Sequence, residues 1–281
     1  MLEEQGYEIA SISGCSMGAL IGGVHAMGKL AEYKDWVCAL DQGDVLRLLD
    51  FSFSSAGLIK GDRVMDALRD LLGDCDIEDL PIDFTAVATD LDARREVWID
   101  DGSLFDAIRA SIAVPTVFAP ARRGGRTLVD GGLLNPVPIA PTLRDDTDLT
   151  IAVDLAGHRD PTLDGRDKKT RESAGNKGEL DDYREAISNF VDRLTRKVTD
   201  GFTSGDEGKL NMLDVVNRSF DAMQVTLSRI RLAEYQPDVL IAIPRNVCQT
   251  FEYYRAAEVI AEGRRQTERT LEREARLLEK S

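Results

Sequence analysis

Two short segments carry residues whose types and spacing could support nucleophilic catalysis. The sequence GCSMG at residues 14–18 has the G-x-S-x-G pattern, in which a serine, here Ser16, occupies a sharp turn between a strand and a helix. The flanking sequence fits, since an apolar strand-like run, Tyr7–Ser13, precedes the turn and a helix rich in small residues, Met17–Leu30, follows it. The serine hydroxyl is then placed to attack an acyl carbonyl. A glycine-rich turn without chemistry is the alternative interpretation.

The residues around Ser16 have distinct expected roles. A serine at such a turn has a strained backbone, and we expect the glycines on either side, Gly14 and Gly18, to leave room for it. The helix that begins at Met17 has its N-terminus beneath the serine, where it stabilises an acyl oxyanion. Gly14, Met17 and Gly18 are therefore the predicted elbow and oxyanion residues. Cys15 is expected to be a small apolar filler.

A serine nucleophile needs a proton acceptor, and Asp130 is the first candidate. It follows a short strand, Thr127–Val129, and precedes Gly131 and Gly132, which let neighbouring backbone approach closely. We expect its carboxylate at the C-terminal edge of the sheet. Partial burial that raises its pKa would let it take the serine proton directly. An ordinary Asp-Gly-Gly turn explains the same residues, and the sequence leaves both interpretations open.

Histidine bases are the alternative, and the chain has two histidines, His25 and His158. The order Ser16, Asp130, His158 suits an α/β-hydrolase triad, but His158 opens a polar segment that is poorly suited to holding an imidazole in place. His25 follows Ser16 on the same predicted helix, about 13 Å along its axis at 1.5 Å per residue, and cannot be its base. We expect His25 to be a packed or capping residue. Asp154 is a weaker alternative base.

The elements that must position these residues alternate between strands and helices. This alternation is typical of an α/β sheet covered on both faces. The near-continuous apolar run Leu149–Leu155 predicts a central strand that is buried on both faces. The other predicted elements are the strands Asp83–Asp90, Glu96–Ile99 and Asp238–Ile243 and the helices Gly61–Leu72, Leu104–Ile112, Leu210–Leu232 and Phe251–Lys280.

Composition and charge narrow the functional class. The 281 residues are 43% hydrophobic, enough for one large core or two small ones. A net charge of -15 repels phosphate backbones and argues against nucleic-acid partners. The 4 cysteines share no C-x-x-C spacing, so we expect no zinc site, and unclustered cysteines fit a reducing cytoplasm.

One apolar stretch near the N-terminus is long enough to span a bilayer. Ile9–Gly28 carries no formal charge, but it follows Glu3, Glu4 and Glu8 and is interrupted by glycines. The strand, turn and helix around Ser16 explain it better. We therefore expect peripheral membrane contact at most. The sequence predicts one domain over 1–281, with a polar flexible insertion at about 157–208 and a C-terminal helix at about 251–280.

Four stretches resemble the patatin-like phospholipases, in their compact bacterial single-domain branch. The resemblance implies a three-layer α/β sandwich with a mainly parallel central sheet flanked by helices. It also implies a Ser-Asp dyad of Ser16 and Asp130 without a histidine, lipid acyl-ester substrates, and neither a metal nor an organic cofactor. The stretches are ISGCSMGALIGG at 12–23, AIRASIAVPTVFAP at 107–120, LVDGGLLNPVP at 128–138, and LNMLDVVNRSFDAMQ with RIRLAEYQPDVLI between 210 and 241.

The chain departs from the family pattern at its beginning. The family starts with a strand, a glycine-rich loop that supplies oxyanion donors, and a helix, and residues 1–6 (MLEEQG) resemble the end of that helix. The first strand and loop are therefore expected to be missing. Either the natural protein begins further upstream, or the chain is truncated and impaired or completed by a partner. The predicted function is a phospholipase, lysophospholipase or carboxylesterase; the alternative is a lipid-binding or regulatory protein.

A second tier of residues has less specific signals. Arg109 could hold a phosphate or carboxylate, or could pack and bond across the elbow. Pro115 and Phe118 are expected to line an acyl pocket, since a lipid tail needs apolar walls. A local basic cluster, suited to a lipid headgroup or simply solvated, consists of Arg122, Arg123 and Arg126.

Overall fold

The computed structural model describes residues 1–48, 59–163, 212–248 and 252–278. A short 3-10 turn at Glu3–Gln5 precedes the first strand. The next elements along the chain are β1 (Ser11–Cys15), α1 (Met17–Ala26), α2 (Leu30–Ala39), α3 (Gln42–Leu48) and α4 (Asp62–Leu72).

The second part of the chain supplies the remaining strands. Between them lie 3-10 turns, of which Gly131–Leu133 and Ala140–Arg144 matter for the site. The elements are β2 (Asp83–Asp90), β3 (Arg95–Ile99), α5 (Leu104–Ser111), β4 (Ala121–Arg123), β5 (Arg126–Asp130), β6 (Ile151–Gly157), α6 (Met212–Tyr235), β7 (Val239–Pro244) and α7 (Ala256–Leu278).

The predicted helix Met17–Leu30 is divided into two. α1 ends at Ala26 because Gly28 adopts a φ of 73° and its N–H donates to the His25 carbonyl, which closes the helix. α2 begins two residues after Gly28, at Leu30. Of the predicted polar insertion at about 157–208, residues 164–208 lie outside the described residues.

The main sheet is built around β2. β1 runs parallel to it and pairs along Asp83–Val87, whereas β3 and β5 run antiparallel to it. Ala86 pairs with both β1 and β3, and Ala88 pairs with both β3 and β5. Because β3 pairs with Ala86–Asp90 on one edge of β2, β1 and β5 must follow one another along the other edge. β4 extends the sheet beyond β5, and β6 pairs in parallel with β7.

The fold class predicted from the sequence, an α/β three-layer sandwich, is confirmed, and its sheet is mixed rather than mainly parallel in the described strands. The antiparallel pairs are the hairpins β2–β3 and β4–β5, whose tight turns need no helical crossover, and the pair β2–β5.

The prediction for the apolar run 149–155 is wrong. Val153 is 52% exposed and Leu155 is 60% exposed on one face of β6, while Ala152 on the other face is buried. Ala152 packs with Leu232 and Leu240, so α6 covers only that face. An apolar residue type shows that a position tolerates burial, but the placement of the covering helix decides whether burial occurs.

The main core lies between the sheet and the helices α1 and α5. A Cβ atom at Gly22 would lie 2.7 Å from Ile12 Cγ2, and one at Gly23 would lie 2.9 Å from Leu104 Cδ1. The small residues of α1 therefore let this helix approach the sheet and α5 closely. In the part of the chain that is described, no helix has both the length and the hydropathy needed to cross a membrane.

Candidate active site

Ser16 lies at a strained turn between β1 and α1. Its φ of 53° and ψ of -125° are rare for a residue with a side chain, and it is the N-cap of α1. The turn requires Gly14, because a Cβ atom there would lie 2.3 Å from the Gly18 carbonyl carbon. It does not require Gly18, whose Cβ atom would meet nothing within 4 Å. The expectation that both glycines leave room is therefore wrong for Gly18, which faces solvent on the first turn of α1.

Ser111, a residue that the sequence analysis did not select, supports the turn from below. The Ser16 N–H donates to the Ser111 carbonyl at 3.2 Å and to its Oγ at 3.0 Å. Ser111 is fully buried, and its hydroxyl donates to the Val87 carbonyl at 2.6 Å. The only signal in the sequence was a small polar residue in the stretch 107–120, three residues after Ile108 on α5.

Because the Ser16 N–H is occupied by Ser111, an oxyanion must find other donors. Met17 and Gly18 are the first two residues of α1, and the N–H groups of a first helical turn have no acceptor within the helix. These two N–H groups also stand at the positive end of the helix dipole. They are the donors that this turn can offer to a developing negative charge.

Asp130 closes β5 and is almost completely buried, with 1% of its surface exposed. Its Oδ1 accepts the Gly132 N–H at 2.7 Å, and its own N–H donates to the Ala113 carbonyl at 3.0 Å. Within the described residues, its Oδ2 is buried and has no hydrogen-bond partner of regular geometry. Burial raises the pKa of Asp130 from 3.8 to about 6, although the nearby Ser16 hydroxyl and the Gly132 N–H lower it.

Strand pairing brings these two residues together. Cys15, the last residue of β1, pairs with Val87, and Asp130, the last residue of β5, pairs with Ala88. β1 and β5 thus end against each other on one edge of β2, with Ser16 directly beyond Cys15. The carboxylate therefore lies against the interior of β2 rather than at a common C-terminal edge, because β5 is antiparallel to β2.

Gly131 and Gly132 make the turn after Asp130 possible. A Cβ atom at Gly131 would lie 2.1 Å from the Val87 carbonyl oxygen and 2.9 Å from Cys15 Cβ. A Cβ atom at Gly132 would lie 2.5 Å from Gln224 Nε2 on α6 and 3.0 Å from Asp130 Oδ1. The first glycine is therefore enclosed by backbone, whereas the second faces side chains.

Cys15 is buried beside Ser16, and its thiol is 3.4 Å from the Pro136 carbonyl. Burial, together with the nearby Asp130 charge, raises the pKa of this thiol far above its ordinary value. A thiol held in its neutral form fits the predicted filler role. The neighbouring Ser13 hydroxyl donates to the Pro138 carbonyl, so β1 also anchors the segment that follows the Asp-Gly-Gly turn.

The alternative bases have other partners. His25 Nε2 is 3.6 Å from Glu3 Oε1, near the C-terminal end of α1. His158 is exposed immediately after β6. Asp154 Oδ1 accepts the Ser228 hydroxyl at 2.9 Å, which ties β6 to α6. Among the contacts of the described residues, none joins these three to Ser16 or Asp130.

Arg109 acts as a clamp between two backbone segments. Its Nη2 donates to the carbonyls of Lys60 and Ala119, and its guanidinium lies 6.0 Å from the Phe118 ring centroid. Burial lowers its pKa, and Asp62, whose Oδ1 is 3.9 Å from Nε, acts in the opposite direction. Arg109 therefore does not bond across the elbow. Phe118 is buried under this guanidinium.

The predicted basic cluster is mostly engaged with neighbouring groups. Arg123 Nη2 donates to the Asp101 carbonyl at 2.7 Å and lies 3.2 Å from its carboxylate. Arg122 donates to the Thr127 hydroxyl at 2.8 Å, and Arg126 Nε is 3.9 Å from Asp90 Oδ2. These contacts favour the interpretation of a solvated surface over that of a headgroup site.

An apolar cavity of about 660 Å³, which we call the α6 cavity, lies between the end of β2, the turn after Asp130 and α6. Pro115 and Phe118 do not line it. Among the described residues, no group of three or more His, Cys, Asp or Glu side chains could hold a metal ion. The residues that line it include Thr89, Leu91, Leu133, Leu134, Met223 and Leu227.

The sequence is similar to known proteins over nearly its whole length. An uncharacterized NTE family protein of Mycobacterium tuberculosis (strain ATCC 25618 / H37Rv) is 40% identical over 308 residues, which cover 96% of this chain and 85% of that protein. The family model of patatin-like phospholipases matches residues 1–143. The chain belongs to the patatin-like phospholipase family.

More distant relatives within this comparison have functional names. The lysophospholipase nte1 of Emericella nidulans is 26% identical over 173 residues, which cover 58% of this chain and 11% of that protein. The neuropathy target esterase sws of Drosophila melanogaster is 27% identical over 178 residues, which cover 56% of this chain and 12% of that protein. In this patatin-like phospholipase chain, both Ser16 and Asp130 lie within the matched residues 1–143, whereas α6 lies beyond them.

Proposed function

We propose that this chain is a lipid acyl-ester hydrolase in which Ser16 is the nucleophile and Asp130 is its base. The observation that supports it best is the meeting of a serine at a strained turn with a buried carboxylate, since the Ser16 hydroxyl is close enough to lower the pKa of Asp130 and the Asp130 Oδ2 has no other hydrogen-bond partner in the described structure. A buried acceptor without a partner is costly, so its persistence favours a functional role. Family membership indicates lipid hydrolysis as the class of reaction.

The proposed reaction begins when Asp130 accepts the hydroxyl proton of Ser16 as Oγ attacks the ester carbonyl carbon. The N–H groups of Met17 and Gly18 stabilise the negative charge that forms on the carbonyl oxygen. Asp130 then returns the proton to the leaving alcohol, and the acyl group remains on Ser16. A water molecule, deprotonated by Asp130, attacks this acyl-enzyme, and the fatty acid leaves as Oγ regains a proton.

The electrostatics of Asp130 suit this role. A carboxylate with its ordinary pKa would be a weak base at neutral pH, whereas burial raises the pKa of Asp130 to about 6. At pH 7 the carboxylate is still mostly ionised and can accept a proton. Burial thus makes it a stronger base without neutralising it.

The substrates proposed are phospholipids, lysophospholipids or other acyl esters, reached by peripheral contact with a lipid surface. A cytoplasmic location is supported by Cys15, Cys38 and Cys75, whose thiols are free, as expected of a reducing compartment.

The test is hydrolysis of p-nitrophenyl butyrate and octanoate. Ser16→Ala and Asp130→Asn should each reduce kcat/KM by at least about 10⁴-fold, because each removes a group that acts in the chemical step. His158→Ala and Asp154→Asn are the matched controls and should remain close to wild type. Loss of activity in the His158 variant would instead support a triad. A folded wild-type chain that binds lipid without hydrolysing any ester would favour the alternative of a lipid-binding protein.

A further inference from the structure

We propose that the α6 cavity binds the acyl chain of the substrate and that Met223 on α6 limits the length of chain it accepts. This inference rests on the proposed hydrolase function of Ser16 and Asp130. It locates the acyl chain on the α6 side of the site and not beside Pro115 and Phe118, where the sequence suggested an apolar pocket.

The α6 cavity adjoins the turn that carries Asp130. Gly132 donates to the Asp130 carboxylate, and the next two residues, Leu133 and Leu134, line the cavity. Neither Ser16 nor Asp130 lines it, but a Cβ atom at Gly132 would lie 3.0 Å from Asp130 Oδ1 and 2.5 Å from Gln224 Nε2, so α6, whose Ala222 and Met223 line the cavity, passes beside the base. An ester whose carbonyl is at Ser16 therefore has an apolar space within a few residues of the base.

Most of the residues that line the α6 cavity are apolar. Leu91, Leu133, Leu134, Met223 and Leu227 present alkyl groups, and the volume of about 660 Å³ is within the range of about 300–1,000 Å³ typical of ligand pockets. Two charged residues also line the cavity: Asp90, whose Oδ1 accepts the N–H groups of Asp92 and Ala93, and Arg94, which is exposed. Met223 is 51% exposed and Leu91 is 42% exposed, so the cavity is open at its edge and a chain can enter. Apolar surface exposed in such a groove gains free energy when an alkyl chain covers it.

The wall of the α6 cavity contains a buried hydroxyl group, that of Thr89. Thr89 is 2% exposed, and in the described structure its hydroxyl has no hydrogen-bond partner. A buried hydroxyl without a partner is costly unless a ligand satisfies it. An ester or headgroup oxygen at the inner end of the acyl chain would supply that partner.

Contacts between α6 and the rest of the site preform the cavity. Arg231 on α6 bonds to Glu96 Oε1 at 2.5 Å, and Asn135, in the segment after the Asp-Gly-Gly turn, donates to Glu96 Oε2 at 2.8 Å. Gln224 lies directly against Gly132. These contacts hold α6 at a defined distance from the turn, so the groove does not have to be created by the ligand.

Another cavity in the described part of the chain, beside Arg109, does not fit an alkyl chain. It measures about 300 Å³ and is lined by charged side chains, among them Asp62, Asp106 and Arg109. Burying methylene groups there would desolvate these charges without pairing them. The two cavities therefore differ in the chemistry of the ligand they can hold.

The test is the chain-length profile of p-nitrophenyl acetate, butyrate, octanoate and palmitate. Met223→Trp fills the groove and should lower the ratio of octanoate to acetate kcat/KM by about 10-fold, since each lost methylene contact in an apolar pocket costs about that much. Ala222→Phe, which lines the same cavity, should change the ratio in the same direction. Ile230→Trp is the matched control on α6, 55% exposed and outside the cavity, and should leave the profile unchanged.

If Met223→Trp and Ala222→Phe leave the chain-length profile of an active enzyme unchanged, the assignment of the α6 cavity to the acyl chain is overturned. The proposed hydrolase function would stand. If the wild-type chain hydrolyses no ester, the proposed function fails, and binding decides the groove separately. In that case a fluorescent 11-dansylamino-undecanoate probe should bind the wild type and Ile230→Trp alike and Met223→Trp about 10-fold more weakly. Equal binding by all three overturns the inference.

Discussion

Two sides of the candidate site are held by different kinds of contact. The strand side consists of the turns that end β1 and β5, and the helix side is the packing of α6 against the turn after Asp130. On the strand side, Gly14 faces the Gly18 carbonyl carbon and Gly131 faces the Val87 carbonyl oxygen, so backbone meets backbone. On the helix side, Gly132 faces the Gln224 amide, and α6 is joined through Arg231 and Glu96. Backbone cannot move away without disturbing the sheet, whereas a side chain can adopt another rotamer. The strand side should therefore tolerate substitution far less than the helix side.

The largest effect is expected at Gly131. A Cβ atom there would lie 2.1 Å from the Val87 carbonyl oxygen, so Gly131→Ala should lower the free energy of unfolding by more than about 3 kcal/mol. Gly18→Ala is the control, since its Cβ atom meets nothing within 4 Å, and on a helix it should be neutral or stabilising by up to about 1 kcal/mol. Urea denaturation measures both. Similar values for the two variants would remove the basis of the comparison.

The second expected effect is that the free energy of unfolding depends on pH, because the base, Asp130, is buried. The pKa of Asp130 is about 6 in the folded chain and 3.8 when unperturbed, so the folded state binds the proton more tightly. Its contribution to stability is therefore largest below about pH 4 and falls by about 3 kcal/mol as the pH rises to about 6 and beyond. Asp130→Asn should remove this fall.

Activity should change in the opposite direction over the same range. kcat/KM should increase with pH as Asp130 ionises, with an inflection near pH 6 that reports the free enzyme. Stopped ester-hydrolysis assays from pH 4.5 to 8 measure the change in kcat/KM. Urea denaturation of the wild type and of Asp130→Asn over the same pH range measures the change in stability. A flat activity profile across pH 6 would contradict the role of Asp130 as base.

The smallest effect is expected on the helix side, at the ion pair of Arg231. Its side chain is 21% exposed and that of Glu96 is 23% exposed, so solvent screens the pair. Arg231→Met should lower the free energy of unfolding by about 1 kcal/mol, since Glu96 keeps its bond from Asn135. Glu234→Gln, which changes the more exposed partner of the same arginine, is the control. A loss comparable to that of Gly131→Ala would show that the two sides are equally rigid.

Much of the candidate site could be predicted from local sequence. The elbow around Ser16 follows from a glycine pattern between a strand and a helix, and the Asp130 turn follows from two glycines after a strand. The assignment of these residues to chemistry remains a prediction. Ser111 was missed because its role depends on the Val87 carbonyl and the Ser16 N–H, which are distant in sequence.

Two second-tier interpretations depended on partners that sequence does not reveal. Arg109 is held by the carbonyls of Lys60 and Ala119, and backbone acceptors leave no trace in residue types. Phe118 is apolar enough for an acyl pocket, but Arg109 covers it. The α6 cavity, in contrast, combines Leu91, Leu133 and Met223 from three separate segments, so no single segment indicated it.

The sequence by itself determined the two turns, the alternation of strands and helices, and the family to which the chain belongs. These are properties of neighbouring residues, because glycine spacing and apolar periodicity act over a few positions. Only the tertiary structure decided that β1 and β5 end against each other on one edge of β2, that Asp130 is buried there, and that α6 closes an apolar cavity beside it. Pairing and burial arise from contacts between distant segments, and these contacts set the pKa of Asp130 and the shape of the groove.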